Sequence, residues 1–304
     1  MFSFEVLPPL KGTGTANLFR TIDTLREYNP SYINITTHRS EFVYTEQADG
    51  TFRRDRLRRR PGTIAVASAI MQKYNIKVIP HLVCSGFTAE DIEYMLLDLQ
   101  FLGLHDIFLL RGDKALDDKQ FRPEKGGYSH ALQLIDHVNQ FNEGFFIDGS
   151  PIKVKGQPFT YGVAAYPEKH EEAPNLDFDI QILRQKQDRG ASYAVTQLFF
   201  DNQKYFDFVA RARAAGITIP IIPGIKPLVK RSQLSVVPKT FHVDIPQALA
   251  DEARRLDSDE KVAQLGIEWG VAQCRELLKA GVPSLHFYTV SATDSIQAIL
   301  KQLI

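Results

Sequence analysis

The chain has 304 residues, with 36 basic and 36 acidic side chains and a formal net charge of zero. That balance disfavours a nucleic-acid binder, which carries an excess of positive charge. Two cysteines, Cys84 and Cys274, exclude a disulfide framework and a Cys-x-x-Cys metal signature. A hydrophobic content of 44% suits a soluble protein with a large core.

The first apolar run, 2–7, holds Glu5 and is stopped by Pro8-Pro9. Leu18, Ile22, Leu25 and Tyr28 then recur at helical spacing. A second run, 32–37, ends at Thr36-Thr37-His38-Arg39. The arginine-rich stretch that follows, Arg53-Arg54-Asp55-Arg56 and Arg58-Arg59-Arg60, reads first as a solvated loop and second as an anion-docking patch. Pro61-Gly62-Thr63 opens the next helix. The third run, 77–84, carries His81, and Thr88 with Glu90 and Asp91 caps the helix after it.

The fourth run, 106–112, leads into Arg111-Gly112-Asp113, then a polar loop and a helix over 129–141. Residues 144–160 read as a loop with a small hairpin around Asp148-Gly149. The fifth run, 161–166, is followed by Tyr166-Pro167-Glu168-Lys169-His170 and a helix over 176–189 that stops at Gly190. Runs at 193–200 and 219–225 follow, the latter with Pro220 and Pro223. A helical region over 246–280 is broken near Asp257-Ser258-Asp259, and a last run, 284–290, precedes a terminal helix over 294–303.

Eight strand–helix alternations predict an α/β fold, a single (β/α)8 TIM barrel over 1–304. Catalytic groups in such a barrel sit where strands end, which draws attention to Glu5, Thr36, His81, Arg111, Asp113, Tyr166, Gln197 and Tyr288. Glu5 lies between Phe4 and Val6, and desolvation there would raise its pKa into the range of a general acid or base. The alternative is a carboxylate turned outward or paired with a base. Arg111 offers a planar fork for phosphate or a ring carbonyl, and Gly112 permits close backbone approach. An internal Arg111–Asp113 pair is the competing reading. His81 and His170 lack zinc-motif spacing, so no metal is expected. Gly12-Thr13-Gly14 lacks the third glycine of a dinucleotide fingerprint, so any nucleotide must be held by barrel loops and helix N-termini.

Several motifs come in a fixed order: Ser3-Phe4-Glu5, Pro80-His81-Leu82-Val83-Cys84, Leu110-Arg111-Gly112-Asp113, Ala165-Tyr166-Pro167-Glu168-Lys169-His170, Thr196-Gln197-Leu198-Phe199-Phe200-Asp201, Ile222-Pro223-Gly224-Ile225-Lys226-Pro227 and His286-Phe287-Tyr288-Thr289. Together they resemble the methylenetetrahydrofolate reductases, in the form of the bacterial catalytic barrel. The resemblance implies FAD, with NADH or NADPH reducing it before the folate substrate takes its place in a ping-pong reaction. It implies Glu5 as general acid, and Asp113 beside the flavin and the pterin. It implies Gln197 and Gln233 as folate contacts, and Tyr288 as a further substrate contact. It places Thr36, His81, Arg111, Gly112, Asp113, Ala131, Tyr166, His170, Ala173, Asp179 and Lys186 against FAD, with Arg111, His170 and Lys186 facing phosphate.

Family members also imply a homo-oligomer. The two cysteines and the absence of a basic-then-apolar leader point to a cytoplasmic setting. Zero net charge argues against a nucleic-acid partner, and no run approaches the roughly 18 apolar residues of a membrane span. The chain departs from the pattern at His130, which precedes Ala131, and at Ala292, where some members carry an arginine. Lys226 or Lys230 is a replacement for that missing cation. The chain also starts at its first strand, without the helix that precedes it in other members, which suggests a shortened N-terminus. A pterin-binding barrel methyltransferase without flavin is the alternative reading.

Overall fold

The computed structural model describes every residue except 116, 117 and 291, and leaves the side chain of residue 56 undescribed. In chain order the strands are β1 (Phe2–Val6), β2 (Ile33–Ile35), β3 (Glu41–Glu46), β4 (Phe52–Leu57), β5 (Val78–Val83), β6 (Asp106–Leu110), β7 (Thr160–Ala165), β8 (Tyr193–Leu198), β9 (Ile221–Ile225) and β10 (Leu285–Tyr288). The helices are α1 (Ala16–Leu25), α2 (Thr63–Tyr74), α3 (Ala89–Phe101), α4 (Ala131–Glu143), α5 (Leu176–Asp188), α6 (Asn202–Ala214), α7 (Gln233–Phe241), α8 (Gln247–Arg255), α9 (Asp259–Lys279) and α10 (Thr293–Leu303). Eight strands close into a barrel in the order β1-β10-β9-β8-β7-β6-β5-β2. The (β/α)8 architecture expected from the apolar runs is therefore the one observed.

Two expectations need correction. The arginine-rich stretch is not a loop: β3 and β4 form an antiparallel hairpin with Glu41 opposite Leu57 and Glu46 opposite Phe52. Among the described residues it pairs only with itself, and most of β3 is exposed, so no buried face gave it an alternating pattern. Helix α7 was not foreseen because Pro238 lies inside it. The expected hairpin around Asp148-Gly149 is a tight turn, with an isolated bridge between Phe145 and Pro151.

The chain divides into two compact units. The first comprises Met1–Val6, Arg20–Ile33 and Tyr161–Ile304. Its core gathers Leu198, Phe200, Leu228, Val237, Leu249 and Val262. Helix α9 reaches this core closely through Gly266, where a methyl group would lie 1.8 Å from the Leu228 carbonyl oxygen. The second unit comprises Leu7–Phe19 and Asn34–Thr160. There β5 is buried along its whole length and pairs in parallel with β6, His81 opposite Phe108. Thr88 caps α3 as its sequence implied, in a reciprocal capping box with Asp91. Both cysteines are free and buried, and burial pushes each thiol up to about 12. Among the described residues no helix is long and apolar enough to cross a membrane.

Candidate active site

In the first unit, the interior residues of β1 and β10 stack in two levels. At the lower level Ser3 Oγ lies 2.8 Å from His286 Nδ1, and the Tyr32 ring stacks on His286 with centroids 6.2 Å apart. Complete burial holds His286 down at about 3, so the ring is neutral at physiological pH. At the level above, the register places Glu5 opposite Tyr288. The Thr289 hydroxyl donates to the Glu5 backbone carbonyl at 2.7 Å, which ties the end of β1 to the end of β10. Glu5 itself is half-buried.

The Tyr288 hydroxyl donates to the Thr196 carbonyl at 2.6 Å. Its pKa is driven well up, first by burial and then by Glu5, Tyr166 and Tyr32. That bond uses the hydroxyl's one proton and ties the ring of Tyr288 to β8. Thr196 lies within the register shift that separates Val195 from Leu198 on β8. Such a bulge redirects side chains. Here the Thr196 hydroxyl accepts from Gly224 N at 2.9 Å, and Gln197 is left half-buried with its amide oxygen accepting from Leu198 N. Gln233 also turns inward on its own segment. Its amide oxygen accepts from Val229 N and Lys230 N just before α7.

Beyond β7, Tyr166 meets His170 edge-on at 4.8 Å. The loop is fixed by His170 N donating to Asp179 Oδ2 at 2.6 Å, by Ala173 N donating to His170 O, and by Lys169 Nζ donating to the buried Ala173 carbonyl. Lys186 is 7% exposed, with Nζ donating to Ala164 O at 2.8 Å. Burial lowers Lys186 to about 8, and the Asp179 carboxylate opposes that shift. The residue expected to face phosphate is thus an interior cation whose counter-charge is Asp179. Burial raises Asp179 in turn.

In the second unit, the turn after β6 is stitched to the end of β5. Ser85 N donates to Arg111 O at 3.0 Å, and Ser85 Oγ donates to Asp113 O at 2.6 Å. Gly112 between them has φ +81, and a Cβ there would meet Ser85 Cβ at 2.9 Å. Glycine is required on both counts. The Arg111 guanidinium lies 4.6 Å from the Phe121 ring centroid. His81 is buried against Phe108 at 4.9 Å, and the Thr37 hydroxyl donates to the His81 carbonyl. Thr36 Oγ1 lies 3.2 Å from His38 Nε2. Burial and then Arg60 hold His38 below its usual value, while Asp113 and Glu41 oppose this, so Asp113, His38 and Thr36 share one neighbourhood. Ala131 is the first residue of α4, behind a capping box of His130 with Gln133.

Among the described residues no cluster of His, Cys, Asp or Glu could hold a metal. Lys226, offered by the sequence as a replacement for the missing cation, is the residue immediately after β9. It is 9% exposed and its Nζ donates to Val290 O at 2.7 Å.

A sequence profile of the methylenetetrahydrofolate reductase family matches residues 1–304. The chain is 30% identical over 305 residues to Methylenetetrahydrofolate reductase 1 of Schizosaccharomyces pombe, covering 99% of this chain and 45% of that protein. It is 29% identical over 302 residues to the 5,10-methylenetetrahydrofolate reductase of Escherichia coli, covering 99% of this chain and 90% of that one. It therefore spans about half the length of the yeast relative and most of the bacterial one. A solved structure from Clostridium thermocellum, described as binding two copies of 5-methyl-5,6,7,8-tetrahydrofolic acid, shares the fold with a TM-score of 0.55 at 13% identity, over 100% of this chain and 95% of that one. With its barrel topology and a profile match from end to end, the chain belongs to the methylenetetrahydrofolate reductase family.

Proposed function

We propose that this protein reduces 5,10-methylenetetrahydrofolate to 5-methyltetrahydrofolate, taking electrons from NADH or NADPH through FAD in ping-pong order. On this reading residues 1–304 act as one catalytic domain in the cytoplasm. The observation that carries the reading is Glu5: a half-buried carboxylate at a barrel strand end, opposite Tyr288, in a chain matched throughout by the family profile.

The donor set suits FAD. Arg111 supplies a guanidinium and His170 an imidazole for its phosphates, while Gly112 presents backbone without a side chain. Thr36, His81, Asp113, Ala131, Tyr166, Ala173 and Asp179 complete the proposed set. Lys186 belongs to it through Asp179 and the β7 carbonyl it holds. When bound, the flavin accepts two electrons from the nicotinamide and returns them to the one-carbon unit.

The chain's own residues do the rest. Glu5 gives a proton to the bridging nitrogen as the methylene ring opens, which makes the carbon electrophilic. Asp113 accepts from the pterin edge, and its negative charge biases the flavin's electronics. Gln197 and Gln233 bind folate, and the Tyr288 ring packs against it. Glu5→Gln tests the assignment, because the two half-reactions can be followed separately. Flavin reduction by the nicotinamide donor should persist, while folate turnover should fall by about 10²-fold or more, the usual contribution of a general acid. Folate turnover within a few-fold of the wild type would remove Glu5 from the chemistry.

A further inference from the structure

Lys226 is an unusual group to find inside a barrel. Lysine is almost never buried unless paired. Its ammonium donates to the Val290 carbonyl at the end of β10, yet a neutral carbonyl does not balance a charge. The strand register shows what does. Phe4 lies opposite Phe287, and Phe287 opposite Ile225. One residue further on, Glu5 lies opposite Tyr288, and Lys226 follows Ile225 on the same row. Adjacent strands are about 4.8 Å apart, so the Cα atoms of Glu5 and Lys226 are separated by roughly 10 Å, within the combined reach of the two side chains.

We propose that Lys226 is a positioning residue for Glu5: its buried ammonium, oriented by the Val290 carbonyl, stabilises the carboxylate left when Glu5 gives up its proton. This rests on the folate-reductase reading above and adds to it the source of Glu5's acidity. A carboxyl group among tyrosines is a weak acid, because burial favours its neutral form. Among the described residues Glu5 acts electrostatically on Tyr288, which Tyr32 and Tyr166 also face, and on Lys226 from the end of β9. His286 beneath them is neutral. Of these groups only Lys226 carries a positive charge, and Glu5 is the first counter-charge that holds that proton in place against burial. The proton leaves Glu5 for the substrate nitrogen, the O–H electron pair stays on the carboxylate, and Lys226 keeps its own proton throughout.

The test is the titration of Glu5 itself. The wild type and the variants Lys226→Met, Lys226→Gln and Lys226→Arg are labelled with carboxyl-13C glutamate, and the Glu5 resonance is assigned by its absence in Glu5→Gln. Losing the ammonium in Lys226→Met or Lys226→Gln should raise the Glu5 pKa by about one unit or more, while Lys226→Arg keeps it near the wild type. The alkaline fall of the folate half-reaction should move up with it, and its plateau rate should drop. Lys226→Gln retains an N–H donor for Val290 O, so it remains informative if Lys226→Met does not fold. A Glu5 titration unchanged in Lys226→Gln would overturn the proposal and reduce Lys226 to a tie for the Val290 carbonyl. Because the resonance is read without substrate, a wild-type enzyme inactive on folate would count against the functional reading and leave the electrostatic result standing.

Discussion

Gly224 bears no side chain because its space is already taken. A methyl group there would lie 2.2 Å from the Thr196 carbonyl oxygen and 2.6 Å from the Tyr288 ring. The first neighbour is backbone and cannot yield, so Gly224→Ala must push β9 away from β8 or dislodge Tyr288 from its bond to Thr196. A loss of about 1–3 kcal/mol is expected, the usual cost of overpacking, seen as a lowered midpoint in thermal or urea unfolding. An unchanged midpoint would show that the β8 bulge has room to give.

His137 permits a sharper test at the same scale. It is buried on α4 against Tyr128, and burial lowers it from 6.5 to about 4. Above pH 6.5 neither the folded nor the unfolded state binds this proton, and nothing is lost. As pH falls from 6.5 towards 4, the unfolded chain takes up a proton that the folded chain refuses, so stability declines. His286 acts with the same sign, its folded value lying at about 3. Glu168 opposes both: burial pushes it up to about 7, so between 4.5 and 7 the folded state holds the extra proton. His137→Phe removes one contribution cleanly. Its stability relative to the wild type should improve by roughly 2–3 kcal/mol between pH 7 and pH 4, measured by urea unfolding at each pH. Parallel pH profiles for the two proteins would contradict the assignment.

At the scale of elements, legibility followed burial. Strand β5 reads as a largely apolar run because both faces are covered, and β6, β8 and β10 read in the same way, each broken by at most two polar residues. The break at Asp257-Ser258-Asp259 was visible because Ser258 caps α9 with two acids in its first turn. The hairpin of β3 and β4 was not visible. Its strands carry Glu46, Arg53 and Arg54 on exposed surface and Glu41 and Asp55 half-buried, and its order comes from cross-strand pairing, the Arg59–Glu41 and Arg53–Asp55 ion pairs, and Arg54 lying 3.5 Å from the Phe42 ring centroid. A two-stranded ribbon is marginal by itself. Its amides should therefore exchange with solvent well before those of β5 and β6 in native-state hydrogen exchange. Equal protection would mean that something further holds the ribbon down.

The same contrast holds for the candidate site. Glu5 and Asp113 could be named because strand ends are where barrels place chemistry. Lys226 lies 221 positions from Glu5, and only the strand register joins them. The inward turn of Gln233, the burial of Lys186 and the commitment of the Tyr288 hydroxyl are likewise products of packing. No spacing in the chain encodes them.

For the whole molecule, the fold and the family are shown and the reaction is proposed. A TIM barrel by itself implies no particular chemistry. The weight therefore rests on whether a flavin bound to this chain exchanges electrons with a methylated folate. The most direct measurement is the visible absorption spectrum of the purified protein, loaded with FAD, before and after anaerobic addition of 5-methyltetrahydrofolate. The reaction run in reverse should reduce the flavin and bleach its band. A band that persists at saturating 5-methyltetrahydrofolate, in protein whose flavin is still reduced by NADH or NADPH, would contradict the folate assignment. Failure to bind FAD at all would favour a pterin-binding methyltransferase built on the same barrel.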